Sequence, residues 1–397
     1  MKIDFVKKKL GNGLTILFEK RRLPIVSTAC AVRQGFAYET EKEKGISHFV
    51  EHLMFKGTKT RTYKQIGDEI EKKGGVLNAF TGEEVTAYWN KMPNKHINAS
   101  LDVASDLILN PRFDKKEFEK ERGVILEEIK MYHDSPQMYV FDKIKELLYK
   151  KPFGISGIGT SKSVSEISHN DVLRFFNSHY QTNKMFLCVV GNTSIEKIEE
   201  WGRKFPKHVG KIREFKPPKI NKKLIEKRKG VDQANYVFGF HACSLKEKER
   251  YAYELFNTIL AEGMSSRLFD EIREKRGLAY AVKGMLDQGK EFGYELIYIG
   301  TTKENIKACE KIILKEIRNM KNLEKRDLDE GKEKLIGLRK VGSEESVSVM
   351  NALIQEEIGG DAKEFYKYED KINNVNLTQV RKIGNLKNFS SVALVPG

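Results

Sequence analysis

His48-Phe49-Val50-Glu51-His52 is the most informative stretch of this 397-residue chain. Residues four apart lie on one face of an α-helix, so the imidazoles of His48 and His52 can reach a single metal ion. Glu51 follows His48 by three residues and shares that face. Two histidines and a third protein ligand leave the fourth position of a tetrahedral zinc ion for water. The spacing therefore predicts a zinc site with a carboxylate beside the bound water.

A candidate for the third ligand lies downstream, in an amphipathic stretch at residues 118–131. The hydrophobic pattern predicts a helix there despite Gly123. Glu121 and Glu128 are seven residues apart and share a face. Glu127 points about 100° away from Glu128 on a helix of about 3.6 residues per turn. The pattern thus offers a carboxylate ligand and a supporting acid, but the spacing does not choose between Glu127 and Glu128.

A third feature follows the Gly74-Gly75 pair, where Asn78-Ala79-Phe80-Thr81 is typical of a strand. If this strand lies at a sheet edge beside the metal, an extended peptide could add to it through main-chain hydrogen bonds. A strand buried within the core explains the same residues equally well.

Further stretches, taken in chain order, carry a resemblance to one protein family. They are Asn12-Gly13-Leu14-Thr15, Gly45-Ile46-Ser47 before His48, Leu53-Met54-Phe55-Lys56-Gly57-Thr58 after His52, Tyr180-Gln181-Thr182-Asn183, Val189-Val190-Gly191-Asn192 and Arg273-Glu274-Lys275-Arg276-Gly277-Leu278-Ala279-Tyr280. With the features above, nearly the whole chain is similar to the pitrilysin/insulinase family of inverzincin zinc metallopeptidases, and within it to the short, processing-peptidase-like members. One departure is Thr182, where the family often has proline, and it should affect only a turn.

The resemblance implies a role for each matching residue of the metal site. His48, His52 and Glu128 would be the ligands of one Zn²⁺ per chain. Glu51 would be the general base, and Glu121 would be the acid that supports the site. The choice of Glu128 over Glu127 comes from the resemblance alone.

The resemblance also implies how a peptide is held. Asn78 and Ala79 would bind the substrate backbone, Arg273 would hold a substrate carbonyl, and Tyr280 would donate to the oxyanion. Family members of this length often pair as homodimers around an internal chamber. Whether Arg273 and Tyr280 serve the zinc site of their own chain or of the partner stays open.

Composition narrows the class of protein. A chain of this length suggests two or three domains, and 40% hydrophobic residues suffice for buried cores. No apolar run approaches the length of a transmembrane helix, and the first residues lack the apolar segment of a signal peptide. The four cysteines are solitary, which is typical of reduced core residues, so we expect a cytoplasmic protein with no membrane partner.

The net charge of +15 raises the question of nucleic acid. Lysine and glutamate alternate along the chain as on solvated helices, and no nucleic-acid motif is present, so we expect no nucleic-acid partner. Basic residues do concentrate at 204–229, around Lys216-Pro217-Pro218-Lys219. This stretch favours a basic linker at residues 209–229.

The halves on either side of that linker resemble each other. Residues 70–80 align without gaps on 272–282, and residues 186–191 align on 392–397. The helix of His48 and His52 corresponds to about residues 254–258, which contain no histidine, and Glu128 corresponds to about Leu338. The alignment therefore predicts a metal site in one half only.

Each half mixes short β-branched strands with long charged helices, which favours the α+β class. The clearest strands are 27–32, 86–91, 236–241 and 294–300, and the clearest helices are 98–109, 304–321 and 323–341. We expect two homologous α/β-sandwich-like domains, each a mostly antiparallel sheet with helices packed on one side. Residues 1–208 would form the N-terminal zinc-binding catalytic domain, and residues 230–397 would form a C-terminal domain of the same fold that lacks metal ligands and supplies Arg273 and Tyr280.

The function that these expectations support is a zinc-dependent endopeptidase acting on unstructured peptides or oligopeptides. A non-catalytic relative that serves as a scaffold or substrate-binding subunit is the main alternative, although the ligands and the base are all intact here. A structural zinc domain fits less well, because structural sites fill all four positions and keep no adjacent base. The sequence does not name the physiological substrate or the cleavage preference.

Overall fold

The computed structural model describes residues 4–397, which form two compact units. Unit 1 comprises the chain up to Ile129 together with Gly157–Phe215 and Gly342–Phe365. Unit 2 comprises Lys130–Ser156, Lys216–Val341 and Tyr366–Gly397. Each unit contains one sheet and its own apolar core.

The strands and helices have the following bounds. The strands are β1 (Phe5–Lys9), β2 (Thr15–Lys20), β3 (Ile25–Val32), β4 (Val76–Thr81), β5 (Thr86–Pro93), β6 (Met185–Gly191), β7 (Lys223–Arg228), β8 (Ala234–His241), β9 (Ala279–Gln288), β10 (Gly293–Thr301) and β11 (Ser390–Pro396). The α-helices are α1 (Ile46–Met54), α2 (Tyr63–Glu71), α3 (Ile97–Leu109), α4 (Lys115–Asp134), α5 (Pro136–Leu148), α6 (Ser161–Glu166), α7 (His169–His179), α8 (Ile195–Gly202), α9 (Arg250–Leu260), α10 (Ile306–Asn319), α11 (Lys325–Gly342), α12 (Ser346–Gly359), α13 (Tyr368–Asn373) and α14 (Leu377–Ile383). Short 3-10 helices lie at Phe36–Tyr38, Glu41–Glu43, Asn94–His96, Thr182–Lys184, Met320–Asn322 and Ala362–Lys367, and Phe269–Glu274 is a π-helical segment. Within this described part of the chain, no helix is both long enough and apolar enough to cross a bilayer.

The two sheets share one strand order. Unit 1 has the order β1-β2-β6-β3-β5-β4, and unit 2 has the order β7-β11-β8-β10-β9. Without β1, each strand of the first sheet has a counterpart at the same place in the second, and β2/β6 and β7/β11 are the parallel pairs. The other pairings are antiparallel. The predicted α+β class and the two repeated, mostly antiparallel sheets are therefore confirmed.

Most of the predicted elements are present at the expected places. The four predicted strands lie within β3, β5, β8 and β10, and the helix predicted at 118–131 lies within α4. The helices predicted at 98–109, 304–321 and 323–341 correspond to α3, α10 and α11. Long amphipathic patterns and β-branched runs were sufficient signals for these elements, since each buries one face in its own core.

Both faces of the unit 1 sheet carry helices, whereas the sequence predicts helices on one side. Ser27 of β3 hydrogen-bonds Ser346 of α12 at 2.8 Å, and its neighbour Thr28 accepts a hydrogen bond from Ser100 of α3 at 2.8 Å. Successive residues of a strand point to opposite faces, so α3 and α12 cover opposite faces of the sheet. The helix pattern identifies an apolar face, but it does not say which surface that face will cover.

Unit 2 repeats this arrangement with α5. A Cβ on Gly239 of β8 would lie 3.0 Å from Ile144 and 3.2 Å from Leu148 of α5. The adjacent Phe238 and Phe240 point into the opposite core, which contains residues of α9. Thus α5, from the first half of the chain, packs in unit 2, while α12, from the second half, packs in unit 1. The compact units therefore differ from the contiguous division at 1–208 and 230–397.

The basic segment between the halves is partly a linker and partly a β-strand. Of the predicted linker at 209–229, Lys223–Arg228 form β7, which pairs in parallel with β11 at the edge of the unit 2 sheet. The alternation of half-buried and exposed residues in β7 is that of an edge strand. The many charged residues of this segment predicted a linker, so the strand was not recognised from composition.

Candidate metal centre

Helix α1 carries the predicted metal-binding side chains in unit 1. It begins after Gly45, whose φ of 93° lies in the left-handed region that glycine adopts without strain. Phe49, Val50 and Leu53 are buried in the core and fix the rotation of the helix about its axis. His48 and His52 then project together from a different face, as their spacing of four predicts.

Three donor atoms from two helices meet at this face. Nε2 of His48 lies 3.2 Å from Nε2 of His52, and Oε2 of Glu128 lies 3.6 Å and 3.5 Å from these two nitrogens. Two ligand atoms each about 2.1 Å from one tetrahedral zinc ion lie about 3.4 Å apart. The three separations fit this requirement, so the residues present can hold a zinc ion. Among residues 4–397, His48, His52 and Glu128 are the one set of three such donors that meet at a common point.

The carboxylate that reaches the imidazoles belongs to Glu128, one of the two glutamates that spacing left open. Glu121, two turns earlier on α4, lies against the other side of His52. Its Oε2 is 3.1 Å from Nδ1 of His52, and its Oε1 is 2.7 Å from Nζ of Lys56. A hydrogen bond to the second ring nitrogen fixes the orientation of a histidine ligand. The contact of Lys56 with Glu121 joins residues that are distant in sequence, so local spacing does not predict it.

The pKa values of the donors reflect their shared charges. Burial, together with the positive charge of His52, lowers the pKa of His48 to about 4. Burial alone would also lower the pKa of His52, but Glu121 and Glu128 outweigh it and raise that pKa to about 9. The hydrogen bond to His52 is the main cause that lowers the pKa of Glu128. A metal ion therefore competes with a proton chiefly at His52, because a histidine ligand must be deprotonated.

Glu51 is held from the neighbouring strand. Oγ1 of Thr81, the last residue of β4, donates a short hydrogen bond to Oε2 of Glu51, and Oγ1 of Thr86 lies 3.3 Å from Oγ1 of Thr81. Burial raises the pKa of Glu51, and the hydrogen bond from Thr81 opposes that shift. A carboxylate whose pKa moves toward neutrality is better suited to accept a proton at neutral pH. The sequence does not predict this role of Thr81, since spacing within β4 does not show what faces α1.

The strand that contains Asn78 and Ala79 lies at a sheet edge. Strand β4 is the last strand of the unit 1 sheet and pairs with β5. Asn78 is exposed, and its Oδ1 accepts a hydrogen bond from the backbone N–H of Ala79 at 2.8 Å. Because Thr81 at the end of β4 contacts Glu51, this edge runs beside the metal centre.

Arg273 and Tyr280 lie in unit 2. Arg273 belongs to the π-helical segment, with its guanidinium 4.9 Å from the ring centroid of Phe269. Tyr280 is on β9, the edge strand in the position that β4 occupies in unit 1, and it is 52% exposed. Both side chains are accessible, and their contribution to catalysis stays a prediction.

Fold and donor set together define a protein of internally repeated α+β design with a reversed H-x-x-E-H motif and a candidate metal centre in one repeat. Comparison with known families matches residues 15–161 to "Insulinase (Peptidase family M16)" and residues 166–335 to "Peptidase M16 inactive domain". The chain belongs to the peptidase M16 family, also called the insulinase or pitrilysin family, which confirms the resemblance.

Curated relatives agree with this family assignment, and a solved structure agrees with the fold. A Rickettsia bellii protein named "Uncharacterized zinc protease" is 35% identical over 375 residues, covering 93% of this chain and 90% of the relative. A Bacillus subtilis protein named "Uncharacterized zinc protease YmxG" is 29% identical over 377 residues, covering 93% and 92%. A crystal structure described as a protease from Helicobacter pylori superposes with a TM-score of 0.92 at 21% identity, covering 99% of this chain and 100% of that one. At that identity, the structural similarity establishes the fold alone.

Proposed function

We propose that this protein is a zinc endopeptidase that hydrolyses unstructured peptides or oligopeptides, with one Zn²⁺ per chain. The observation that carries the proposal is the approach of the Glu128 carboxylate to within 3.6 Å of Nε2 of both His48 and His52, with Glu51 on the same helix as the histidines. Membership of the M16 family and the names of its relatives support the same activity.

The chain supplies the base that hydrolysis needs. When bound, Zn²⁺ would lower the pKa of a coordinated water toward neutrality and polarise the substrate carbonyl. Glu51, steadied by Thr81, accepts the proton of the attacking water and returns it to the departing amine. Glu121 keeps the His52 ring in the orientation in which Nε2 faces the other two donors.

The edge strand β4 gives the substrate its place. An extended peptide adds to β4 through main-chain hydrogen bonds, with Asn78 and Ala79 as its contacts, so that its backbone passes Glu51. This mode of binding recognises the peptide backbone more than the side chains. It therefore suits peptides that have no fixed structure.

Arg273 and Tyr280 complete the proposed chemistry by analogy with the family. Tyr280 donates to the oxyanion of the tetrahedral intermediate, and Arg273 holds a substrate carbonyl. We further propose that the protein forms homodimers and acts in the cytoplasm. The family resemblance supports the dimer, and the solitary cysteines support the location.

The proposal is tested by measuring bound zinc and the cleavage of a fluorescence-quenched peptide. The parent protein should bind one zinc per chain, cut the peptide and lose activity to a chelator. Glu51→Gln should keep the zinc while losing most of the turnover, because the amide cannot accept the proton.

The matched control is Glu127→Gln, which makes the same change beside the ligand Glu128 but outside the donor set. It should leave zinc content and turnover close to the parent values. Peptide cleavage that survives both chelation and Glu51→Gln would overturn the assignment, and a parent that binds peptides but never cuts them would be a scaffold.

A further inference from the structure

The two histidines of α1 are oriented by different means. Nδ1 of His52 has Glu121 as its partner at 3.1 Å, and Lys56 backs that carboxylate. Nδ1 of His48 is buried and has no hydrogen-bond partner within residues 4–397. Histidine ligands are usually held through this second nitrogen. The placement of the His48 ring therefore depends on its own backbone, in the first turn of α1.

A buried carboxylate from outside the helix holds that first turn. Glycine at the N-cap, Gly45, has no side chain with which to satisfy the free N–H groups of the helix. Glu39 supplies the missing acceptor, since its Oε1 accepts the N–H of Ser47 at 2.8 Å and its Oε2 accepts the N–H of Gly45 at 3.3 Å. Ser47 directly precedes His48, so this cap acts one residue from the ligand.

The charge of Glu39 has its own buried counterion. Nζ of Lys44 lies 3.6 Å from Oε2 of Glu39 and donates to the carbonyl oxygen of Phe36 at 2.7 Å. The side chains of Glu39 and Lys44 are 0% and 1% exposed. Burial raises the pKa of Glu39 to about 7, although Lys44 and the N–H groups of Ser47 and Gly45 oppose the shift.

On its other side, the first turn of α1 packs against the backbone of a second glycine, Gly159. A Cβ on Gly45 would lie 2.7 Å from the carbonyl oxygen of Ile158, and a Cβ on Gly159 would lie 2.7 Å from the carbonyl oxygen of Lys44. The backbones can pack at this distance only because both residues are glycine. The start of α1 is thus enclosed between the Glu39 carboxylate and the backbone of the Ile158–Gly159 loop.

We propose that Glu39 is a positioning residue that sets the place of His48 at the metal centre through the first turn of α1. The inference rests on the proposed zinc site. It assigns to a carboxylate nine residues before His48 the work that Glu121 does for His52 through a direct contact.

Zinc affinity of Glu39→Gln tests this role. The dissociation constant is measured at pH 8 by competition with a chromophoric chelator, together with the visible spectrum of the Co²⁺-substituted protein and the thermal midpoint of the metal-free protein. Loss of a residue that supports a ligand typically weakens metal binding about 10–100-fold. We expect zinc affinity to fall at least about tenfold and the Co²⁺ spectrum to change.

Two further variants keep the test decisive. Glu39→Gln removes the negative charge beside the buried Lys44, which can destabilise the fold. The double variant Glu39→Gln/Lys44→Met removes both charges and should still bind zinc weakly. Glu43→Gln makes the same change in the short 3-10 helix that follows Glu39, where the side chain bonds only to Thr40 among the contacts described, and it should bind zinc like the parent.

Parent-like zinc affinity and Co²⁺ spectra in both Glu39 variants would overturn the inference, even if their thermal midpoints fall. A parent protein that binds no zinc would overturn the proposed function and this inference with it. The two failures are therefore distinguishable.

Discussion

Units 1 and 2 share one sheet topology but differ in what their matching helices carry. In unit 1, α1 presents His48 and His52 to Glu128. In unit 2, the corresponding part of α9 carries Glu254, which accepts a hydrogen bond from Tyr368 at 2.5 Å, and Thr258. Within the described part of unit 2, no three donors meet at a common point. The fold thus supplies a helix beside an edge strand twice, and three side chains decide where a metal can bind.

Two buried glutamates, one in each unit, differ in their hydrogen-bond partners. Glu121 in unit 1 has both oxygens paired, with His52 and Lys56, and these partners lower its pKa although burial works against them. Glu295 in unit 2 is 0% exposed, and both its oxygens lack a hydrogen-bond partner among residues 4–397. Burial raises the pKa of Glu295 well above its usual range. Burial without a partner favours a neutral carboxyl, whereas a partner keeps the charge that a metal site needs.

The largest effect is expected at the ligand that distinguishes the units. Glu128→Gln should weaken zinc binding by more than the roughly 100-fold upper range of supporting residues, because it removes a direct ligand. Leu338→Gln makes a comparable substitution at the matching place in unit 2 and should leave zinc binding unchanged. Chelator competition measures both. Equal zinc affinity in the two variants would remove the basis for a single-site assignment.

The second effect concerns the stability contributed by Glu295. Its folded-state pKa lies above the reference value of 4.5, so its contribution to stability is complete below pH 4.5 and is lost as the pH rises through the folded pKa. Over that window, the free energy of unfolding of the parent should decrease relative to that of Glu295→Gln by about 1.4 kcal/mol per pH unit. Urea unfolding between pH 5 and pH 8 measures the difference. The exposed Glu324→Gln should follow the parent, and a Glu295→Gln profile parallel to the parent would contradict the prediction.

The smallest effect is expected at Lys56, which among residues 4–397 contacts the site through Glu121. Lys56→Met should weaken zinc binding about tenfold, because Glu121 loses the cation that holds it against His52. Lys56→Arg should restore most of the affinity. The Lys56 side chain is 34% exposed, so the thermal midpoint of the metal-free protein should change little. Lys59→Met, an exposed change on the following loop, is the control, and an equal loss of affinity there would point to a general charge effect.

Local patterns explain how much of the site could be predicted. The spacing of His48, Glu51 and His52 is enough to place three functional groups on one helix, because helical geometry repeats within a few residues. The choice of Glu128 over Glu127 needed the family resemblance. Thr81 and Lys56 carry no local signal, since each acts on a residue that is distant in sequence or on another element.

By itself, the sequence predicted the main elements of the fold, the repetition of the two halves and the restriction of the candidate metal donors to the first half. Each of these features depends on the spacing of residues that are close in sequence. Only the tertiary structure decided that α5 and α12 are exchanged between the compact units, and that Glu39 and Lys44 lie buried at the start of α1. An amphipathic or charged pattern predicts which face of a segment will be buried and which will be exposed. Which distant surface or counterion it meets is set by the packing of the whole chain.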